Sequence, residues 1–271
     1  MSSEQKDPNS KKGLMFEKAN PKSHITSIIG VVSGKGGVGK STVTCLLASE
    51  LKKSGYAVGV IDADITGPSI PKGFGLRDRL TANEDGWFPV ESKSGIKIVS
   101  TNLILEHETD PVLWRGPLIS KMVKQFYTDV VWGELDFLLV DFPPGTGDVA
   151  ITMFQSIPLT GIVVVTSPQD LVSMIVEKAI NMANKMEVPV LGLVENMSYF
   201  ACPNCKTKYN IFGESKIEEI SKNLNITLLA KLPIDPEVAS LFDQGKIEDA
   251  VSDNIRLAAL NLVNKTVSHN N

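Results

Sequence analysis

Two short stretches of this chain hold residue types at spacings that can do chemistry. The first is Gly34-Lys35-Gly36-Gly37-Val38-Gly39-Lys40-Ser41, followed by Thr42, which fits glycine, any four residues, then Gly-Lys-Ser/Thr. Glycines let the backbone curl so that successive N–H groups face a phosphate, together with the positive end of a helix beginning near Lys40. Lys40 then reaches the β and γ phosphates, and Ser41 offers its hydroxyl to a magnesium ion that keeps most of its waters. The run FLLVD ends at Asp141, an acid at a strand's C-terminal edge that suits it to hold the same metal through water. Gly34 to Thr42 are therefore the expected nucleotide-binding residues.

The second stretch is Cys202-Pro203-Asn204-Cys205, in irregular sequence just after a strand. A C-x-x-C pair is a redox couple, half of a zinc site or half of a cluster site. A thioredoxin-like couple would sit in a different βαβ context near the chain start. A cubane cluster or a structural zinc takes four thiolates, and one chain offers two here, because the third cysteine, Cys45, falls in the first helix and packs in the core. Two copies supply four, which points to a site on a two-fold axis.

The elements that must position these groups alternate. SIIGVVSG, AVGVIDAD, DFLLVDFP, GIVVVTSP and VLGLVENM are short, β-branched, continuously apolar runs, as strands buried on both faces are. Val43, Leu46, Leu47 and Leu51 recur at helical spacing after the first run, and Gly55 closes that helix. Such alternation implies right-handed crossovers and an α/β fold, a doubly wound, mainly parallel sheet with helices on both faces. DGWFPVESKSGIKIVS breaks the rhythm and reads as a short hairpin. Residues 1–22, with five lysines against three acids and no periodicity, read as a flexible tail. Residues 23–265 read as one domain with the cysteine pair in an insertion near 199–213, and residues 266–271 as a second tail.

Composition excludes several functions. The chain has 271 residues, 42% of them hydrophobic, and 27 basic against 31 acidic side chains give a net charge of −4, without the basic excess of a nucleic-acid binder. No apolar run approaches the ~18 residues of a membrane span, and the N-terminus lacks a signal-peptide core. Three cysteines cannot form a fully paired disulfide framework, so the expectation is a cytoplasmic protein with neither nucleic acid nor membrane as partner.

SGKGGVGKST resembles the deviant phosphate loop of the family that includes the partitioning and septum-placement ATPases, the nitrogenase iron protein and the Mrp-like (ApbC-type) iron-sulfur carriers. NMSYFACPNC with IFGE after a short spacer resembles the Mrp-like carriers closely. The likeness runs from Ser23 to about Leu260 and includes VLWRGP at Val112 to Pro117, though it gives Trp114 and Arg115 no physical role. It implies a homodimer that sandwiches two nucleotides, with Lys35 crossing to the partner's phosphates much as an arginine finger does. It further implies that Asp64 positions or deprotonates the attacking water, that Asp62 supports the water shell of the Mg2+ held by Ser41 and Asp141, and that DFPPGTGD from Asp141 to Asp148 is a switch. Asn196 would read the adenine edge with an amide that both donates and accepts, selecting ATP, and Pro233 in LPID would flank the base.

At Cys202 and Cys205 the resemblance implies a labile bridging 4Fe-4S cluster passed to apo-proteins. ATP and Mg2+ would close the dimer, and hydrolysis would change how tightly the thiolates hold the cluster. This chain departs from the pattern at Lys206, where relatives often have glycine. No cysteine stands before Met15, so the expectation is neither a second N-terminal cluster nor a small domain ahead of the ATPase. The alternative is a protein-targeting or spatial-organising ATPase with a structural zinc at the same thiolates. Against it stand the short insertions, which leave no broad Met-rich groove, and the tail NLVNKTVSHNN, with its single lysine.

Overall fold

The computed structural model describes residues 16–64, 67, 69–104, 116–168 and 172–269. The first half runs β1 (Ser23–Ser33), α1 (Lys40–Lys53), β2 (Val58–Asp62), α2 (Ile70–Gly73), β3 (Thr81–Asn83), β4 (Gly86–Phe88), β5 (Val90–Glu91), β6 (Lys97–Ser100) and α3 (Gly116–Thr128). The second half runs β7 (Gly133–Asp141), α4 (Asp148–Ser156), β8 (Gly161–Thr166), α5 (Val172–Lys185), β9 (Val190–Ala201), β10 (Lys208–Tyr209), α6 (Ile217–Asn223), β11 (Leu228–Pro233), α7 (Pro236–Asp243) and α8 (Asp253–His269).

The main sheet is ordered β10-β9-β8-β1-β7-β2-β6-β5, with β11 paired to β9. Its pairings are parallel except β5 with β6 and β9 with β10. Two apolar cores flank it, as the alternation predicts: Leu47 and Leu51 of α1 with Ile255 and Leu262 of α8 on one face, and Phe126 of α3, Phe154 of α4 and Ala183 of α5 on the other. The register places Asp141 of β7 beside Val31 of β1 and beside Asp62 of β2. Both acids thus stand where β1 delivers its loop, at the C-terminal edge at which parallel α/β sheets bind ligands.

Three segments differ from the expectations. The part of the predicted tail from Phe16 to Lys22 is packed: Glu17 donates its N–H to Ser156 O at 2.9 Å, and the buried Asn20 side chain donates to Asp85 O at 2.9 Å. At the other end α8 continues through His269, because Thr266 falls one turn beyond Leu262 on the stripe of Ile255, Ala258 and Ala259 and is itself buried. The predicted single hairpin resolves into two, β3 with β4 and β5 with β6, and β6 joins the main sheet beside β2. Val112 to Arg115, including Trp114, lie outside the described residues. Among the described residues no helix is long and apolar enough to cross a membrane.

Candidate functional site

The loop between β1 and α1 takes the shape its glycines permit. Gly37 and Gly39 have φ of 79° and 77°, the left-handed region that other side chains resist. Ser33 Oγ donates to Lys35 O at 2.9 Å, Val38 is buried, and the N–H of Val43 donates to Gly39 O at 3.0 Å, so the helix begins as the loop ends.

Three donors converge on Asp141. Lys40 Nζ and Ser41 Oγ each lie 2.7 Å from Oδ2, and Thr44 Oγ1 donates to Oδ1 at 2.7 Å. The ion pair is buried, with Asp141 wholly out of solvent. Thr44 was not among the residues singled out from the sequence. Its signal was available: it lies one helical turn from Lys40 and so shares its face. Lys40→Ala would strand a buried carboxylate with only two hydroxyl donors. Without nucleotide this variant is expected to lose about 3 kcal/mol of stability in urea denaturation, the usual cost of breaking a buried pair on one side.

Asp62, also wholly buried, accepts from the N–H groups of Asp64 and Ile70 and from Ser100 Oγ, each at 3.2 Å. Those donors favour the anion, but burial and the neighbouring Asp141 outweigh them and push its pKa from 3.8 up to about 8. The folded chain therefore keeps a proton that the unfolded chain releases. The resulting stability is fully present below about pH 4 and lost as pH rises through about 8, by up to ~1.4 kcal/mol per pH unit. Urea midpoints of the ligand-free chain should fall between pH 5.5 and 7.5, and Asp62→Asn should flatten that slope. Asp64 is half-buried just beyond β2, and Lys35 is half-buried at the start of the loop.

Next to the loop lies a cavity of about 210 Å3 whose walls include Gly39, Thr42, Asn196, Met197, Pro233 and Asp235. The fold thus brings Asn196 and Pro233, far apart in sequence, beside the phosphate loop. Asn196 Nδ2 donates to Val38 O at 3.0 Å, so the amide straps the loop as well as facing the cavity. A Cβ on Gly39 would collide with that nitrogen, a second reason for glycine there. Asp235 caps α7 by accepting from the N–H groups of Glu237 and Val238, which fixes the cavity's far wall.

The cysteine pair caps a β-hairpin rather than a loose insertion: β9 runs on to Ala201 and pairs with β10. Cys202 donates its N–H to Thr207 O at 3.0 Å, and Lys206 donates its N–H to Cys202 O at 2.9 Å. Cys202 is half-buried and Cys205 exposed. The Thr207 side chain and backbone, with a smaller contribution from the Cys202 thiol, hold the Cys205 thiol below its usual pKa, which favours the ligating thiolate. Cys45 is the opposite case, its thiol raised by burial first and then by Asp141 and Asp62.

Lys206 has φ of 59°, which explains why glycine suits this position. Lys206→Gly should relieve that strain, offset partly by the entropy of a freer unfolded chain. The expected net gain is about 0.5–1 kcal/mol in denaturation midpoint experiments. Among the described residues no group of three or more histidine, cysteine or acidic side chains is set to hold a metal. A larger cavity of about 630 Å3 lies behind the hairpin, walled by Tyr199, Lys208, Glu214 and Lys231, and does not touch the phosphate loop.

A glycine-rich loop whose lysine and serine meet a strand-end aspartate, set on a doubly wound parallel sheet, defines a P-loop nucleotide-binding protein. The chain belongs to the family described as ParA: NUBPL iron-transfer P-loop NTPase, which matches residues 24–267. It is 46% identical over 239 residues to the iron-sulfur cluster carrier protein of Clostridium perfringens, covering 85% of this chain and 84% of that one. It is 44% identical over 243 residues to the iron-sulfur cluster carrier protein of Methanocaldococcus jannaschii, covering 88% and 84%. Among solved structures it is similar to the nucleotide-binding protein in complex with ADP from Archaeoglobus fulgidus, with a TM-score of 0.77, 44% identity and coverage of 85% and 90%. The MinD cell division protein of Aquifex aeolicus shares the fold alone, at 20% identity and a TM-score of 0.61 over 88% of this chain and 97% of that one.

Proposed function

We propose that this protein is an ATP-hydrolysing carrier that holds a labile 4Fe-4S cluster as cargo between two copies of the chain and hands it to apo-proteins. The observation that carries this reading is a dithiol hairpin, Cys202 half-buried and Cys205 exposed, on a nucleotide-binding domain whose similar proteins are named iron-sulfur cluster carriers. One chain contributes two thiolates and a cubane takes four, so the cargo site is completed by a second copy.

The phosphate loop, Gly34 to Thr42, cradles the triphosphate of ATP, and the cavity beside Asn196 and Pro233 receives the adenine. The hydroxyl and carboxylates of Ser41, Asp141 and Asp62 form a hard oxygen set suited to Mg2+, which would neutralise charge on the phosphates. Lys40 binds the phosphates when it leaves Asp141, Lys35 reaches the partner's nucleotide, and Asp64 orients the attacking water. The reduced thiols the cargo requires fit a cytoplasmic location.

The test is transfer. Chain reconstituted anaerobically with iron and sulfide, then freed of small molecules, should restore the absorbance of an apo four-iron acceptor. A colourless chain that carries zinc at the same cysteines and restores nothing would instead support a targeting or spatial-organising ATPase.

A further inference from the structure

The base cavity and the thiol pair are served by one strand. β9 carries Asn196 and Met197, which wall the cavity, and runs on through Tyr199 to Ala201, immediately before Cys202. Cys202 lies six positions beyond Asn196, about 20 Å of extended chain. Between these points the ladder with β11 slips: Lys231 faces Glu195, yet Pro233 faces Tyr199, so β9 spends two more residues than its neighbour. Met197 sits in that bulge with φ of 55°, in the left-handed region that a methionine resists.

Past the bulge the strand is tied firmly again. Ile234, another wall of the cavity, donates its N–H to Tyr199 O at 2.7 Å, and Phe200 and Ala201 pair with Tyr209 and Lys208 of β10. The end of β9, β10 and the thiol turn therefore form one hydrogen-bonded piece, and the left-handed Met197 through which that piece joins the rest of β9 lines the base cavity.

We propose that occupancy of the base cavity is transmitted along β9 to the Cys202–Cys205 pair, with Met197 as the positioning residue. A base that packs on Met197 and Ile234 favours one setting of the bulge, and the hairpin follows, changing the exposure of the thiols. The proposal rests on the reading that the cavity takes the base of a nucleotide. It does not depend on what the thiols carry.

The test is the rate at which Cys205 of the cluster-free chain reacts with a monofunctional maleimide, followed by peptide mapping. Rates are compared without ligand, with ADP and with pyrophosphate, each at a concentration that calorimetry shows to be saturating. ADP is expected to change the rate several-fold and pyrophosphate to leave it near the ligand-free value. Met197→Gly, which accepts the left-handed setting freely and adds slack, should lose the response to ADP while saturated with it. An equal response to pyrophosphate, no response to bound ADP, or a full response in Met197→Gly would each overturn the proposal. The ligand comparison on the unaltered chain decides by itself if the variant does not fold. Because the readout is thiol chemistry without iron, a failure to carry a cluster would leave this result intact, and the reverse also holds.

Discussion

Cys205→Ala, reconstituted anaerobically with iron and sulfide, is expected to retain almost no cluster, where the unaltered chain holds about four irons per two chains. The reason is ligand count. The described residues place two cysteines on the hairpin and bury the third in α1, and they offer no other metal-holding group of three or more side chains. With Cys205 gone, two copies present two thiolates, and a cubane loses half of its protein ligands. Cys202→Ala should behave the same way. Neither change should alter nucleotide binding, since both residues lie in the turn between β9 and β10, outside the phosphate loop and base cavity. Iron and acid-labile sulfide per chain, with absorbance in the visible, give the answer directly. Full iron content in either variant would mean that the ligands are elsewhere.

Lys35→Ala is expected to lower the rate of ATP hydrolysis by about 10³-fold while leaving nucleotide affinity within a few-fold of the unaltered chain, as for removal of a cation that acts across an interface. Lys40 differs in kind. It is buried against Asp141 at 2.7 Å, at the base of its own chain's loop, so its loss should damage binding and stability together. The two lysines are therefore separable by measuring affinity alongside turnover. A mixture of Lys35→Ala with Asp64→Ala chains should regain part of the activity, because in a mixed dimer one composite site keeps both groups. Loss of affinity in Lys35→Ala with no recovery in the mixture would place Lys35 in its own chain's site.

The site was legible where its chemistry is local. Gly34 to Ser41 must be contiguous to wrap a phosphate, so their spacing alone announces the loop. The position of Asp141 could be read because an acid that ends an apolar run of a parallel sheet stands at the ligand edge, and the register with Val31 and Asp62 puts it there. What sequence could not show is what separate elements do once packed together. The tie from Asn196 to Val38 O joins residues 158 positions apart, and nothing in GLVENM announces it. The proton on Asp62 follows from complete burial beside Asp141, which a strand-end acid does not display.

Errors fell where polarity stood in for exposure. Phe16 to Lys22 look like tail because they close a polar stretch without periodicity, yet Asn20 is buried through hydrogen bonds to backbone. Thr266 looks like the start of a second tail, but it lies on the apolar stripe of α8. Lys206 read as a departure from the family pattern without a reason. Its left-handed backbone supplies one.

The proposed dimer is the element on which the rest depends, and the mass of the particle under anaerobic conditions tests it most directly. Native mass spectrometry of the reconstituted chain with ATP and Mg2+ should find a particle of two chains carrying one four-iron cluster. A cluster held in full by a single chain, or a particle that stays at one chain with nucleotide and iron bound, would contradict the shared site.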